Sequence, residues 1–269
     1  MTPSQATAEL AVPTEPRPAS HLSLVGDAPK AEREVPLPVA VDASPRAERR
    51  GIVPQRRSEL TDRVLNVVIA AVALVLVSPV MVLAALAVKL TSPGPIFYVQ
   101  TRVGIDRRKQ GHRSPYDRRV QDLGGRVFTI YKFRSMVADA ERASGAVWAS
   151  KGDPRVTPVG RFMRSCRIDE LPQLFNVLNG DMNIVGPRPE RPSIFRRLCG
   201  DIDDYPLRQL ARPGITGLAQ INHSYDASID DVRIKVRFDL EYLRRQGVAE
   251  DLRIMAKTIP VMLFRRGAL

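Results

Sequence analysis

Histidine, cysteine and aromatic side chains are scarce in this sequence. Three histidines and two cysteines, Cys166 and Cys199, stand among 269 residues. No metal-ligand spacing joins them, which excludes a Cys/His metal centre. The two cysteines read as reduced thiols of a cytoplasmic compartment, with a disulfide between them as the alternative. Aromatic residues make up only 6% of the chain. No RNA- or DNA-binding motif is present, so base stacking is poorly served and nucleic acid is not an expected partner. No apolar core follows the first residues, so no secretory signal is expected.

Positive charge, in contrast, is abundant. The net charge is +12 and the pI about 10.3. Such a balance suits nucleic acid, an anionic membrane or phosphorylated substrates. The length allows one or two domains with a real core. Residues 1–57 hold nine of the 22 prolines and sustain no apolar period. They read as a disordered tail.

Val64–Val88 has 25 residues without a charge. As one straight helix it would reach roughly 37 Å, enough for a hydrocarbon core of about 30 Å. Two features oppose a simple span. Ser78-Pro79 interrupts the run, and proline removes a donor and clashes one turn back. The Ser78 hydroxyl can bond the freed carbonyl, so the break is tolerable in lipid. Both flanks are also basic, with Arg57 and Arg63 before and Lys89 and Arg102 after. A spanning helix would put one cluster on the wrong face; a re-entrant hairpin would not. At this point both readings stand.

Pro93, Gly94 and Pro95 make a turn, and Ile96–Gln100 is a short strand candidate. Asp106–Gly125 is polar and basic and reads as a surface loop. Arg126–Phe133 alternates and is rich in β-branched and aromatic residues, a strand delivering Lys132 and Arg134 to its far end. A solvated strand end is the plain alternative for these two. Val137–Gly152 reads as helix and loop around Trp148. Thr157-Pro158 resembles a capped helix start, with the helix running toward Ile168. Leu171, Leu174, Phe175 and Leu178 mark a second helix with a buried face, begun at Pro172 and stopped by Gly180. Val185–Pro189 is a rigid turn around Arg188, and Arg212–Gln220 a Pro/Gly turn followed by a short strand. Asp230–Gln246 reads as a helix. Asp251–Arg266 resembles an interfacial amphipathic segment that Pro260 should kink or break, with a core helix as the alternative.

The chain is organised around Arg164–Pro189. Asp169 and Glu170 lie side by side there, with Arg164 and Arg167 before them and Arg188 after. A solvated helix surface is the plain reading of any lone Asp-Glu pair. In a basic setting the pair also suits a divalent cation and a phosphate. One carboxylate can hold Mg²⁺ while the other attacks phosphorus, and the arginines can cradle phosphate oxygens. A start at Pro172 would put both acids at a helix N-terminus, where anions are favoured.

From about Arg57 to Leu269 the sequence resembles the bacterial sugar transferases, the monotopic phosphoglycosyl transferases. The markers come in family order: Ser78-Pro79, S-P-G-P at Ser92–Pro95, Y-K-F-R-S-M at Tyr131–Met136, D-P-R at Asp153–Arg155, D-E-L-P-Q at Asp169–Gln173, N-V-L-N-G-D-M at Asn176–Met182, V-G-P-R-P, and P-G-I-T-G-L-A-Q. The resemblance implies transfer of a sugar-1-phosphate from a UDP-sugar to a polyprenyl phosphate such as undecaprenyl phosphate, with release of UMP. It implies Mg²⁺, a re-entrant membrane helix and a covalent phosphosugar on the aspartate. Carried over by position, Asp169 is the nucleophile and Glu170 the Mg²⁺ ligand. Lys132, Arg164 and Arg188 match basic active-site positions, and Arg134 and Arg155 are expected as further phosphate or substrate contacts. Two departures stand out. Asp106–Gly125 is longer than the usual connection, and Asn222 is followed by His223 and Ser224 where relatives often carry Gly-Arg. The tail is expected in place of the extended membrane domain of some relatives.

The expected architecture is α+β and mostly helical. It comprises a disordered tail (1–57), a re-entrant hairpin (58–91) broken at Ser78 and Pro79, and a cytoplasmic catalytic domain (92–269) ending in an interfacial segment. The expected place is the cytoplasmic face of the bacterial inner membrane, with membrane lipid as a partner and homo-oligomerisation left open. The competing class is a membrane-tethered basic scaffold binding anionic lipid or nucleic acid.

Overall fold

The computed structural model describes residues 58–106, 125–140, 152–223 and 228–263. The tail, the inside of the Asp106–Gly125 loop, most of Val137–Gly152 with Trp148, Ser224 and the last residues of the C-terminal segment lie outside the described residues.

Helix α1 (Glu59–Thr91) is 33 residues long, about 50 Å at 1.5 Å per residue. The Ser58 hydroxyl caps it by accepting from the Thr61 amide, and Glu59 and Asp62 complement its positive end. The expected break at Pro79 is not there: one helix runs through it. Pro79 has no N–H to give the Val75 carbonyl, and the Ser78 hydroxyl donates to that carbonyl at 2.8 Å instead. The expected repair therefore occurs without an interruption. The helix is long and apolar enough to cross a membrane, yet one stripe of it is buried in protein. Asn66, Ala70, Ala84 and Val88 face inward, while Val68, Val72, Val75, Leu76, Leu83 and Leu86 are exposed.

Strands β1 (Phe97–Val103) and β2 (Val127–Phe133) form an antiparallel pair, with Tyr98 opposite Lys132. Successive residues alternate faces, so Phe128, Ile130 and Lys132 share one. Phe128 and Ile130 pack with Ala70 of α1 and with Leu174 and Val177 of α3 (Gln173–Asn179). Lys132 extends that row to the strand end. Phe133, on the other face, packs with Ala84 and Val88 of α1 and Met163 of α2 (Pro158–Ser165). Helix α2 starts as expected, with the Thr157 hydroxyl accepting from the Gly160 amide at 2.9 Å. Helix α3 begins just after Pro172 and ends at Gly180, whose φ of 85° is the left-handed conformation that glycine adopts freely.

A strand that the sequence pattern does not reveal, β3 (Asn183–Val185), pairs in parallel with β4 (Gly214–Thr216). The two segments approach so closely that a Cβ on Gly186 would collide with the Arg212 carbonyl oxygen. Around this pair gather α4 (Pro192–Asp201), a 3₁₀ segment (Tyr205–Leu210), α5 (Leu218–Asn222), α6 (Ile229–Arg245) and α7 (Val248–Leu263). Their core includes Phe195, Leu198, Leu207, Leu243 and Ile254. Helix α7 continues through Pro260, against expectation. It buries Ile254 and leaves Leu252 and Ile259 exposed, so it combines the core and interfacial readings. Mostly helical, with two small sheets, the described chain has the expected α+β composition.

Candidate active site

The carboxylate pair lies in a single 3₁₀ turn, Ile168–Glu170, between α2 and α3. Arg167, just before it, has φ 57°, a left-handed conformation that a non-glycine residue adopts at some strain. That reversal separates α2 from the turn. The pair is not solvated: Asp169 and Glu170 are each 7% exposed. Asn176 fixes the turn's surroundings to β2. Its side chain accepts from the Tyr131 amide at 3.1 Å and donates to the Thr129 carbonyl at 2.6 Å, acting in place of a neighbouring strand.

The two acids are treated differently. Glu170 Oε1 accepts from Lys132 Nζ at 2.9 Å and from Arg188 Nη2 at 2.5 Å. Its Oε2 has only longer contacts, 3.5 Å to Arg188 Nη1 and 3.7 Å to Arg167 Nη1. Burial alone would raise the Glu170 pKa. The Arg188, Lys132 and Arg167 charges outweigh it and hold the group well below the usual range. Asp169 accepts no hydrogen bond from any described residue. Burial, then the neighbouring Glu170 charge, push it up to about 6 against the pull of Lys132, Arg164 and Arg167. Burial depresses the Lys132 pKa despite Glu170, whereas Glu170 raises that of Arg188. One carboxylate is locked and ionised; its neighbour, unbonded among the described residues, is pushed up to about 6 within a cationic rim.

Lys132 and Arg188 thus both contact Glu170. Arg164 faces Asp169 electrostatically without a hydrogen bond. Two expected substrate contacts are occupied elsewhere. Arg134 is 6% exposed and donates to the Ser92 and Pro93 carbonyls at 2.6 and 2.8 Å and to Val88 at 3.5 Å. It ties down the end of α1. Arg155 forks onto Asp153 of its own turn, at 2.9 Å from Nε and 2.6 Å from Nη2, and holds Asp153 down at about 2. Both are motif residues, and sequence order does not reveal which way a side chain turns. Sequence reasoning missed Arg208 and the role of Arg102. The i, i+2 spacing of Tyr98, Gln100 and Arg102 on a strand was the available signal for the second. Ser78 and Pro79 lie within α1.

Among the described residues no group of three or more His, Cys, Asp or Glu is placed to hold a metal. Mg²⁺ does not require one, since it is commonly held by one or two carboxylates, substrate phosphate and water. Among the described residues Glu170 Oε2 has no hydrogen bond shorter than 3.5 Å and is the freer oxygen, so the donor set fits such a site.

The bacterial sugar transferase family model matches residues 57–265: the chain belongs to that family. It is 42% identical over 206 residues to the UDP-N-acetylgalactosamine-undecaprenyl-phosphate N-acetylgalactosaminephosphotransferase of Aeromonas hydrophila, across 77% of this chain and 44% of that protein. It is 40% identical over 215 residues to the UDP-glucose:undecaprenyl-phosphate glucose-1-phosphate transferase of Caulobacter vibrioides, across 79% and 73%. The Escherichia coli enzyme of the same name is 40% identical over 75% of this chain and 40% of its own length. The chain therefore spans less than half of two of these three relatives and most of the third.

Proposed function

We propose that this protein transfers a sugar-1-phosphate from a UDP-sugar to a polyprenyl phosphate, undecaprenyl phosphate in bacteria, in two steps through Asp169. One observation carries the reading: of two adjacent buried carboxylates, Glu170 is fixed by Lys132 and Arg188, and Asp169 accepts no hydrogen bond from any described residue. An unengaged carboxylate beside clustered cations suits attack on a phosphorus atom. Asp169 Oδ bonds to the sugar-bearing phosphorus, and the bond from that phosphorus to the UMP oxygen breaks. UMP leaves with the electron pair. An oxygen of the polyprenyl phosphate then attacks the same phosphorus, and the bond to Asp169 breaks, restoring the carboxylate and giving polyprenyl-diphosphate-sugar. Lys132 and Arg188 hold Glu170 and carry positive charge to the phosphate oxygens, and Arg164 adds to the field at Asp169. Mg²⁺, held through Glu170 Oε2, would neutralise phosphate charge. The relatives act on UDP-GalNAc or UDP-glucose by name, and the sugar used here follows from a panel of UDP-sugars.

We further propose that the catalytic domain sits at the cytoplasmic face of the inner membrane and that α1, continuous but bent at Pro79, enters and leaves by that face. Support comes from the attachment of both ends of α1 to one domain. Near its start Arg63 donates to the Val177 and Leu178 carbonyls, and the Asn66 side chain accepts from the Ile184 amide at 2.7 Å. Near its end Arg134 holds the Val88, Ser92 and Pro93 carbonyls. A helix leaving by the opposite membrane face would break one set. Cysteines at Ser58 and Ser92 are expected to react with impermeant reagent only from the cytoplasm; reaction of the first from outside restores a spanning helix.

The chemistry is tested by intact-protein mass after exposure to UDP-sugar without acceptor. The wild type is expected to gain one sugar-phosphate, release UMP and lose the added mass when polyprenyl phosphate is supplied. A basic scaffold would give neither product. An Asp169→Asn variant that gains the same mass removes Asp169 from the proposed role.

A further inference from the structure

Arg188 sits between two prolines in V-G-P-R-P. Proline has no N–H, so this stretch cannot be held by a ladder of its own donors. Its carbonyls are instead taken one after another by donors from outside. The Gly214 amide bonds Pro187 O at 3.0 Å and the Val103 amide bonds Glu190 O at 2.9 Å. Between them, two arginine side chains do what backbone does elsewhere: Arg208 Nη2 donates to Arg188 O at 3.1 Å and Arg102 Nη1 to Pro189 O at 3.2 Å.

Arg208 is the more deeply set of the two, 8% exposed. Its Nε donates to Asp239 Oδ2 of α6 at 2.9 Å, its Nη2 lies 2.7 Å from the same oxygen, and its Nη1 donates to the Tyr205 hydroxyl at 2.6 Å. Asp239 is 2% exposed and Tyr205 is fully buried. A buried ion pair is weak evidence for stability, because desolvation offsets most of the attraction. The geometry supplies another use. Asp239 and Tyr205 orient the guanidinium, and the donor left over points at the backbone of the residue that grips Glu170.

We propose that Arg208, with Asp239 and Tyr205, is a positioning clamp for Arg188, and that Arg102 braces the same turn from β1. The clamp acts on the dyad only through Arg188, linking helix α6 to the chemistry. This rests on the reading of the site as a sugar-phosphate transferase, and it predicts a coupling that general structural support does not.

Arg208→Lys keeps the charge opposite Asp239 but replaces a three-way fork by one ammonium. In membrane-bound enzyme it is expected to lower kcat at least 10-fold while KM for UDP-sugar changes less than 3-fold. Placed in an Arg188→Ala background, it is expected to lower adduct formation by less than 2-fold more, because the clamp then has nothing to position. In the resting protein, hydrogen exchange of the Arg188 and Glu190 amides is expected to quicken at least 10-fold while α2 does not change. Unaltered kcat in Arg208→Lys, or losses that multiply in the double variant, would overturn the clamp. If Arg208→Lys does not fold, Tyr205→Phe removes one acceptor of the fork. It should then show at least a 3-fold loss that vanishes in Arg188→Ala, and full activity overturns the proposal. Should the wild type release no UMP, the functional reading fails by itself, and the exchange measurement still decides the clamp.

Discussion

Replacing Asp169 by asparagine should abolish turnover and yet stabilise the protein. The wild-type carboxyl is pushed up to about 6 by burial and by Glu170, against about 3.9 in an unfolded chain. The folded state therefore binds the proton more tightly, and ionisation at higher pH works against folding. The sign follows from linkage: the destabilisation is absent below the unfolded pKa, grows as pH rises from about 4 to 6, and is constant above. Its size at pH 8 is about 3 kcal/mol, falling to about 1.5 at pH 5 and about 0.5 at pH 4. Asparagine keeps the size and stays neutral, so most of that difference should appear as stability. For a domain of this size 1 kcal/mol moves Tm by about 2–4 °C. The variant should melt roughly 4–10 °C above wild type at pH 8, with the gap closing toward pH 4. Glu170 has the opposite linkage, its stabilisation present above its unfolded pKa and lost as pH falls. It is retained in both proteins, so the comparison isolates Asp169. Thermal unfolding in detergent with EDTA, from pH 4 to 8, is the assay. An Asn variant that melts at or below wild type at pH 8, or a gap that does not shrink on acidification, refutes the reasoning. In the same window wild-type turnover should fall as pH drops through about 6, because in the proposed reaction the attacking form is the carboxylate.

Glu170→Gln should weaken Mg²⁺ binding and leave Asp169 in place. Some activity should return at high Mg²⁺, measured as UMP release, whereas added metal should do nothing for Asp169→Asn. Arg134→Gln should lower stability by about 2–4 kcal/mol through its charged bonds to buried carbonyls. Phosphosugar adduct should still form in the folded fraction, since Arg134 points to α1 and not to the dyad. Arg155→Gln should likewise leave the adduct, and a lost adduct in folded protein would return either arginine to the substrate.

The dyad was legible from sequence because its signal is chemical: two acids side by side among arginines. The capped start of α2, the second helix after Pro172 and the stop at Gly180 were legible because each has a local cause. Strand β3 was not, since three residues carry no period, and it exists only because Gly186 and Gly214 let two chains touch. The continuity of α1 was not either. Proline propensity argued for a break, and a single hydroxyl bond to Val75 answers the local defect. Arg134, Arg155 and Arg208 show the limit most plainly. Two are motif residues and the third lies between motifs, and only the fold decides that one ties a helix, one closes its own turn and one bonds the Arg188 carbonyl.

Helix α1 touches the same elements that hold the dyad, so it belongs to the catalytic core and is not a detachable anchor. Ala70 packs with Phe128, Ile130, Leu174 and Val177, and Ala84 and Val88 pack with Phe133 and Met163. Phe128 and Phe133 come from the strand that carries Lys132, and Leu174 and Val177 from the helix that follows Glu170. Removing α1 would expose these side chains. At about 1.5–3 kcal/mol for each fully buried large apolar residue, losing even half of that burial from six of them would remove about 5–9 kcal/mol. Net domain stability is only about 5–15 kcal/mol. The hydrogen bonds of the four strands left in the described residues cannot offset such a loss. A fragment beginning at Ser92 is therefore expected to aggregate or to remain molten in aqueous buffer, and detergent alone should not restore it, because the missing contacts are specific packing and not a general apolar surface. Near-ultraviolet circular dichroism and intact mass after UDP-sugar read the outcome. A folded, soluble fragment that still acquires a phosphosugar would show that α1 serves only to hold the protein at the membrane.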